Sequence, residues 1–268
     1  MSARFQILGS SSAGNCALLQ TGATTVLIDA GLSARRIGMI LQAKGIPLEA
    51  LHAVFLTHEH YDHTAGVPGL LSCGIQIFAN RETAAAVQNR LRRPVPAAWR
   101  LFETGAVVTF RDLTVRTFPL PHDAYDPVGY AFEWSGSDLF TPPGSLAWVL
   151  DLGYVPSSIH PYIQSVDVLV LEANHDTELL RNDARRPFSV KQRIAGRHGH
   201  LSNQAVGRLL ETLNPSCRQL YLAHLSRDCN EAATLKRTLD PFCARNRHCG
   251  VTIVDPVNGV SPPYHFSW

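Results

Sequence analysis

Short apolar runs separated by small or polar residues define the start of the chain. Residues 4–8, 16–20 and 25–29 are such runs, and turns rich in Gly, Ser and Thr separate them, which is typical of short strands joined by tight loops. Ser33 then precedes apolar residues at helical spacing and Gly45 follows them, so a helix is predicted between these two residues. The chain is therefore expected to open with a small sheet and a helix.

Strands and helices alternate through the rest of the chain. Further strands are predicted at residues 53–56, 107–118, 128–134, 147–150, 167–171 and 220–223. Further helices are predicted at residues 80–92, 202–213 and 229–245. Interleaved strands and helices favour an α/β protein in which helices cover sheets, and the pattern alone leaves open whether there is one sheet or two.

The composition agrees with a folded α/β chain. Hydrophobic residues make up 45% of the 268 residues and charged residues 17%, which excludes an intrinsically disordered chain and leaves material for a sizeable core. No linker or low-complexity tract divides the sequence, so one domain over residues 1–268 is expected. The formal net charge is only +2, so any site for a polyanion must come from a local cluster of basic residues.

The sequence also suggests a cellular setting. It contains no run approaching the roughly 18 apolar residues of a membrane helix, and its first residues lack an apolar signal-type segment. The six cysteines are scattered without a C-x-x-C pair, which argues against a zinc ribbon or a disulfide framework. A cytoplasmic protein without a membrane partner is therefore expected, and its oligomeric state and protein partners stay open.

The segment THEHYDH at residues 57–63 carries the strongest chemical signal, and it directly follows a predicted strand. If it is extended, His58 and His60 point the same way, because side chains alternate with a period of two. Three imidazoles and one carboxylate close together suit a borderline divalent ion such as zinc. One loop cannot close four ligands on one ion without strain, so we expect two ions with further ligands from elsewhere. The alternative is a polar surface loop with chance histidines.

The motif His58-x-His60-x-Asp62-His63 resembles the signature of the metallo-β-lactamase fold. Four other parts of that pattern are present in the family's order: Asp29 in DAG comes before this motif, and His122 in PHDAYDPVGY, Asp151 in DLG and His224 in LAHLS come after it. More narrowly, the segments LGSSSAGN (8–15), EANHD (172–176), GHLSN (199–203) and AHLS (223–226) resemble the YycJ/WalJ group. Those bacterial proteins are similar to RNA-processing nucleases and are regarded as DNA exonucleases. The resemblance implies a four-layer αββα sandwich with a metal site between two sheets.

The resemblance also implies two metal sites with defined ligands. His58, His60 and His122 would hold one ion. Asp62, His63 and His224 would hold the other, and Asp151 would bridge the two. Asp29 is expected to hydrogen-bond a ligand histidine instead of binding metal. The ions would be zinc or manganese, and iron also fits such a donor set.

Two adjacent cations favour hydrolysis. They lower the pKa of a bridging water towards neutrality and polarise the electrophile's oxygen, so a metal-bridging hydroxide is the expected nucleophile. Asp62 could orient it and accept its proton as well as bind metal. A doubly positive site suits a phosphodiester, on which negative charge builds in the transition state.

The leaving oxygen then needs a proton. In related RNA-processing nucleases a Glu and a His at matching motifs form a proton shuttle, and the resemblance transfers that role to Glu172 and His200. His175 could do the same work or position Glu172. The alternative is that these residues only stabilise loops.

Two further features could bind the phosphates of a substrate. Ser10, Ser11, Asn15 and Asn203 offer small hydrogen-bond donors, although such a Gly/Ser stretch is as often a simple turn; no Lys-Ser/Thr follows it, which excludes a nucleotide P-loop. A basic stretch lies between Glu172 and His200, and it could border the cleft or form a solvated face. Its members are Arg181, Arg185, Arg186, Lys191, Arg193 and Arg197.

The favoured function is thus a metal-dependent phosphodiesterase, a DNA exonuclease acting 5′ to 3′ by family resemblance. One alternative is a hydrolase of small esters or lactones, or of RNA, on the same scaffold, because a fold alone does not select a substrate. Another is a non-enzymatic, metal-containing module that binds nucleic acid.

Overall fold

The computed structural model describes residues 3–91, 98–135, 143–212 and 217–266. The strands in these ranges are β1 (Arg4–Gly9), β2 (Cys16–Gln20), β3 (Thr25–Ile28), β4 (Ala53–Phe55), β5 (Gln76–Asn80), β6 (Trp99–Phe102), β7 (Val107–Phe110), β8 (Leu113–Pro119), β9 (Val128–Trp134), β10 (Gly144–Val149), β11 (Val168–Glu172), β12 (Gln219–Ala223), β13 (Gly250–Ile253) and β14 (Tyr264–His265). The α-helices are α1 (Ala34–Ala43), α2 (Tyr61–Thr64), α3 (Val67–Ser72), α4 (Arg81–Asn89), α5 (His160–Ile163), α6 (Thr177–Asn182), α7 (Phe188–Ile194), α8 (Asn203–Thr212) and α9 (Ala232–Arg245).

These strands form two sheets of similar topology. The order is β14-β1-β2-β3-β4-β5-β6 in the first sheet and β13-β12-β11-β10-β9-β8-β7 in the second. Pairing changes from antiparallel to parallel at β3 in the first sheet and at β10 in the second. Ligand sites tend to form at the carboxyl ends of parallel strands where the topology changes, which directs attention to the residues that follow β3 and β10.

A largely aromatic core joins the two sheets. Phe55 of β4 makes edge-to-face contacts with Tyr130 and Phe132 of β9, and Phe5 of β1 meets Trp148 of β10 in the same way. All five side chains are buried. Two further apolar clusters lie on the outer faces, where α1, α3 and α4 cover the first sheet and α5, α8 and α9 cover the second. The layers are therefore helix, sheet, sheet and helix, which confirms the expected αββα sandwich.

The predicted strand at residues 107–118 is wrong. The structure contains two strands there, β7 and β8, joined by a two-residue turn in which Arg111 adopts φ 57°. The apolar and polar alternation runs through both strands, and the turn lacks the Asn-Gly or Gly residues that favour such a conformation. Asp112 holds the turn by accepting hydrogen bonds from Thr21 and Thr24, which lie in the turn between β2 and β3.

Other boundaries shift by a few residues. The helix after Asn80 ends at Asn89, and the predicted end at Arg92 lies outside the described residues, as does Leu213 of the predicted helix at 202–213. The helix predicted from Cys229 begins at Ala232. Within the described ranges, none of the helices is both long and apolar enough to cross a membrane.

Candidate active site

The predicted metal-binding residues meet at one edge, where strands of both sheets end. Asp29 follows β3, His58 follows β4 and Asp151 follows β10, while Glu172 is the last residue of β11 and His224 follows β12 directly. Asp29, Asp151 and His224 have φ values of 59°, 60° and 57°. Such left-handed backbone is uncommon outside glycine and collects at functional sites. The sharp turns let these side chains point along the edge instead of continuing the strands.

The first ligand group consists of three histidines. Ligand atoms of His58, His60 and His122 all lie within 4.8 Å of one another. His122 Nδ1 donates to the carbonyl oxygen of Gly199 at 3.1 Å, because a carbonyl only accepts, and this leaves Nε2 for the cluster. His58 Nδ1 lies 3.0 Å from Thr57 Oγ1, which again leaves Nε2 facing the other histidines.

The second ligand group consists of Asp62, His63 and His224, whose ligand atoms also lie within 4.8 Å of one another. Nδ1 of His63 lies 2.8 Å from Asp29 Oδ2, so the ring turns Nε2 towards the cluster. That Nε2 atom is 2.9 Å from Asp151 Oδ2. Asp151 also groups with His58 and His63, and therefore lies between the two sets.

Two buried histidine nitrogen atoms in the cluster lack hydrogen-bond partners, which bears on whether these residues fit a bound cation. His58 Nε2 and His224 Nε2 are buried and have no hydrogen-bond partner among the described residues. Such atoms are costly to bury unless something else satisfies them. Imidazole nitrogens and carboxylate oxygens are the donors that zinc and similar ions prefer, so the residues fit divalent metal binding.

The pKa values of the histidines fall into two classes. Burial lowers the pKa of His58 well below its usual value and lowers that of His122, so both rings are neutral, as a metal ligand must be. Burial also opposes protonation of His63 and His224, but nearby carboxylates, Asp151 among them, raise both pKa values well above the usual range. This part of the cluster therefore attracts positive charge, which a proton or a metal ion can supply.

Glu172 and His200 lie beside the cluster. Glu172 is completely buried, and its Oε1 atom is 2.8 Å from Nδ1 of both His200 and His224. Its Oε2 atom accepts from the backbone N–H groups of Leu152 and Leu201. Burial alone would raise the pKa of Glu172, but His200 and His224 lower it to about 2. Glu172 is thus an ionised carboxylate that orients two imidazoles, and only His200 of these three side chains is partly exposed.

Comparison with known proteins identifies the family of this chain. Residues 24–225 match the model of a family described as "Beta-lactamase superfamily domain". The chain belongs to this superfamily. It is 34% identical over 232 residues to exodeoxyribonuclease WalJ of Streptococcus pneumoniae, covering 85% of this chain and 83% of the relative. It is 32% identical over 233 residues to exodeoxyribonuclease YycJ of Bacillus anthracis, covering 86% and 85%.

Solved structures agree with the sheet arrangement. The metallo-β-lactamase-fold protein YhfI from Bacillus subtilis superimposes with a TM-score of 0.69 over 98% of this chain and 100% of that chain, at 16% identity. At that identity the likeness concerns the fold alone. Together with the histidine and aspartate clusters, the relatives identify this member of the superfamily as a metal-dependent hydrolase.

Three of the four side chains predicted to bind phosphate make hydrogen bonds within the protein. Ser10 Oγ accepts from the backbone N–H of His224, and Ser11 Oγ accepts from Ala13 N. Asn203 exchanges two amide hydrogen bonds of 2.9 Å with Asn230. These contacts brace loops. A serine hydroxyl that accepts a hydrogen bond keeps its own O–H to donate, so phosphate binding by these residues stays a prediction.

Asn15 and His175 have different surroundings. Asn15 Nδ2 lies 3.0 Å from His63 Nε2 and 3.3 Å from Asp62 Oδ2, so this amide points into the ligand cluster. His175 makes no hydrogen bond to Glu172 among the described residues, and its buried Nδ1 atom has no partner there. No hydrogen bond among the described residues therefore supports a role for His175 in positioning Glu172.

Sequence reasoning missed three residues that support the site. Thr57 donates from its backbone N–H and its hydroxyl to Asp29, and its hydroxyl also meets His58. Trp148 Nε1 donates to the same carboxylate at 3.3 Å. Asp123 Oδ1 lies 3.3 Å from His122 Nε2. Thr57 directly precedes His58 and Asp123 directly follows His122, so their positions next to ligand histidines could have identified them. No feature of the sequence near Trp148 indicates its contact with Asp29.

Acidic side chains pair with most of the basic stretch that lies between Glu172 and His200. Arg185 and Arg186 both pair with Asp183 and Asp228. Arg181 pairs with Glu178, and Arg193 pairs with Asp123 of the site. The sequence showed few acids nearby, but the fold brings Asp123 and Asp228 from distant segments. Lys191 and Arg197 are in none of the ion pairs found in the described part of the chain.

Proposed function

We propose that the protein is a metal-dependent phosphodiesterase that degrades DNA from one end, in the 5′-to-3′ direction. The observation that carries the proposal is the position of His200, which Glu172 orients beside the cluster of metal-binding histidines and aspartates. Such a proton donor suits a leaving sugar oxygen. DNA is the favoured polymer because the relatives that align over most of this chain are named exodeoxyribonucleases.

The proposed cofactors are two divalent ions, zinc or manganese, with iron also compatible with these donors. His58, His60 and His122 would hold one ion, Asp62, His63 and His224 the other, and Asp151 would be shared. When bound, the ions would acidify water and stabilise negative charge on phosphoryl oxygens. Asp29 would act through His63, by fixing which ring nitrogen faces the ions.

The chain's own residues would then handle the protons. Nδ1 of His200 is tied to Glu172, so Nε2 is the nitrogen that could deliver a proton to the leaving oxygen. The negative charge of Glu172 stabilises the protonated ring before the transfer. Asp62 lies 3.6 Å from both His63 and His224 and keeps a partly exposed carboxylate, which could accept the proton of the attacking water.

The test uses full-length protein whose metal content is measured by mass spectrometry. Linear DNA is labelled at one end and blocked at either its 5′ or its 3′ end, with Mn²⁺ or Zn²⁺ supplied. We expect stepwise loss of nucleotides that a 5′ block prevents. His58→Ala and Asp62→Ala should abolish degradation, whereas His248→Ala, which replaces an exposed histidine outside the site, should not.

Four outcomes would contradict the proposal. Undegraded DNA, or equal degradation by His58→Ala, would remove the nuclease. Turnover of small esters by a protein that leaves DNA and RNA intact would favour the esterase alternative, and metal-dependent DNA binding without cleavage would favour the binding module.

We also propose that residues 1–268 form one domain and that the protein acts in the cytoplasm. Limited proteolysis tests the first point, and cell fractionation tests the second.

A further inference from the structure

A small cavity of about 230 Å³ lies between α6 and α7, outside the metal cluster. It is lined by Leu180 of α6, by Phe188 and Lys191 of α7, and by His175. Pockets for whole small molecules typically measure roughly 300–1,000 Å³. This cavity is therefore suited to one ring system that belongs to a larger ligand.

The cavity borders the catalytic pair through His175. His175 and Ser202 form an isolated β-bridge. His175 follows Glu172 by three residues, and Ser202 follows His200 by two. Both Glu172 and His200 act electrostatically on the His175 ring. The cavity therefore lies close to the segments that carry Glu172 and His200.

A buried histidine, His175, also lines the cavity. Only 2% of the surface of His175 is exposed, and its Nδ1 atom has no hydrogen-bond partner among the described residues. Burial lowers the pKa of His175 to about 4, so the ring is neutral near pH 7 and can offer or accept one hydrogen bond. The histidine therefore adds a neutral aromatic ring, and no positive charge, to the lining of the cavity.

The rim of the cavity combines an exposed ring with a positive charge. Phe188 is 73% exposed, which is unusual for a large aromatic side chain, and it lies at the start of α7. Lys191 Nζ donates to the backbone oxygen of Arg181, and no carboxylate pairs with it in the described part of the chain. A flat ring beside an unpaired cation is what single-stranded nucleic acids bind, since bases stack and phosphates need positive charge.

We propose that this cavity binds one base of the DNA strand, stacked on Phe188, with a flanking phosphate near Lys191. The inference rests on the proposed function, because it assigns a subsite to the same substrate. It gives the strand a fixed point beside His200. The site would tolerate every base, since stacking depends little on base identity.

The test measures binding and cleavage separately. Fluorescent single-stranded DNA with phosphorothioate linkages, which resist cleavage, is titrated with metal-loaded protein and followed by anisotropy. Phe188→Ala should weaken binding about 10-fold, within the range found for loss of one stacked base. Phe188→Trp should restore it, and Met39→Ala, which removes another exposed apolar side chain on α1, should change nothing.

A second series locates the base. One abasic residue is placed at successive positions along the strand. At a single position it should weaken binding to the wild-type protein as much as Phe188→Ala does, and cause no further loss in that variant. Unchanged affinity of Phe188→Ala, or equal abasic effects in both proteins, would overturn the inference. Binding that depends on Phe188 without cleavage of ordinary DNA would instead contradict only the proposed nuclease activity.

Discussion

His200 Nδ1 lies 2.8 Å from Glu172 Oε1, and this pairing joins a partly exposed imidazole to a carboxylate that has no solvent contact. The same oxygen lies 2.8 Å from His224 Nδ1. One buried charge therefore fixes the ring orientation of a proposed metal ligand and of the proposed proton donor. Because the backbone N–H groups of Leu152 and Leu201 hold the other carboxylate oxygen, Glu172 itself has little freedom to move.

Removing the imidazole of His200 should affect catalysis more than binding. We expect His200→Ala to lower kcat by about 10²- to 10⁴-fold, the usual contribution of a general acid, with KM and metal content close to wild type. Steady-state kinetics on DNA and metal analysis of the same preparation check this. If the variant instead loses its metal and keeps the kcat of its metal-loaded fraction, His200 is a ligand and not a proton donor.

The buried carboxylate of Asp29 should influence metal affinity indirectly. Asp29→Asn keeps the shape but removes the charge that holds His63 Nδ1–H, so we expect metal affinity to fall by roughly 10- to 100-fold. Competition with a chromophoric chelator gives this affinity directly. Asp240→Asn, at an exposed position of α9, is the matched control. An affinity equal to wild type would show that the contact between Asp29 and His63 is not needed to orient the ring.

Close backbone packing makes Gly31 sensitive to any side chain. A Cβ atom at Gly31 would lie 1.7 Å from the backbone oxygen of Asp62 and 2.5 Å from Asn15 N. Gly31→Ala should therefore displace the metal-binding loop, with lowered metal content and a lowered Tm. Gly38→Ala is the control, because its Cβ meets nothing within 4 Å and the helix should gain about 0.5–1 kcal/mol. Similar Tm values for both variants would contradict this explanation of the DAG segment.

The turn carboxylate of Asp112 should make stability depend on pH. Burial opposes ionisation, but hydrogen bonds from Thr21 and Thr24 lower the pKa of Asp112 below its usual value. A lowered folded-state pKa stabilises the fold above the unfolded-state value of about 3.9, and this contribution disappears as pH falls through the folded-state pKa. Asp112→Asn should thus cost on the order of 1 kcal/mol at pH 7 and much less at acidic pH.

Urea unfolding of metal-depleted wild type and Asp112→Asn at pH 7 and at pH 3 or below measures that difference. Chelator is present in all samples, so that metal loss at low pH does not contribute. A gap between the two proteins that stays constant with pH would show that the charge of Asp112 is irrelevant and that only its geometry matters.

The sequence by itself determined the fold class and the local part of the site. Strand and helix periodicity is a local property, so the strands flanking the site and the helix after Ser33 were predictable. His58, His60 and His63 are close in the chain, and their spacing already requires proximity. The strand break escaped prediction because Arg111, the turn residue with positive φ, lacks the usual preference for that conformation.

The tertiary structure decided how the distant residues implied by the family resemblance come together, and which other residues are used elsewhere. Left-handed turns after separate strands bring Asp151 and His224 to the histidine loop. Packing also gives Ser10 and Asn203 structural hydrogen bonds and places Asp228 against two arginines. Charges and hydrogen bonds act through space over a few ångströms, and a chain separation of tens to hundreds of residues carries no information about such distances until the two sheets have packed together.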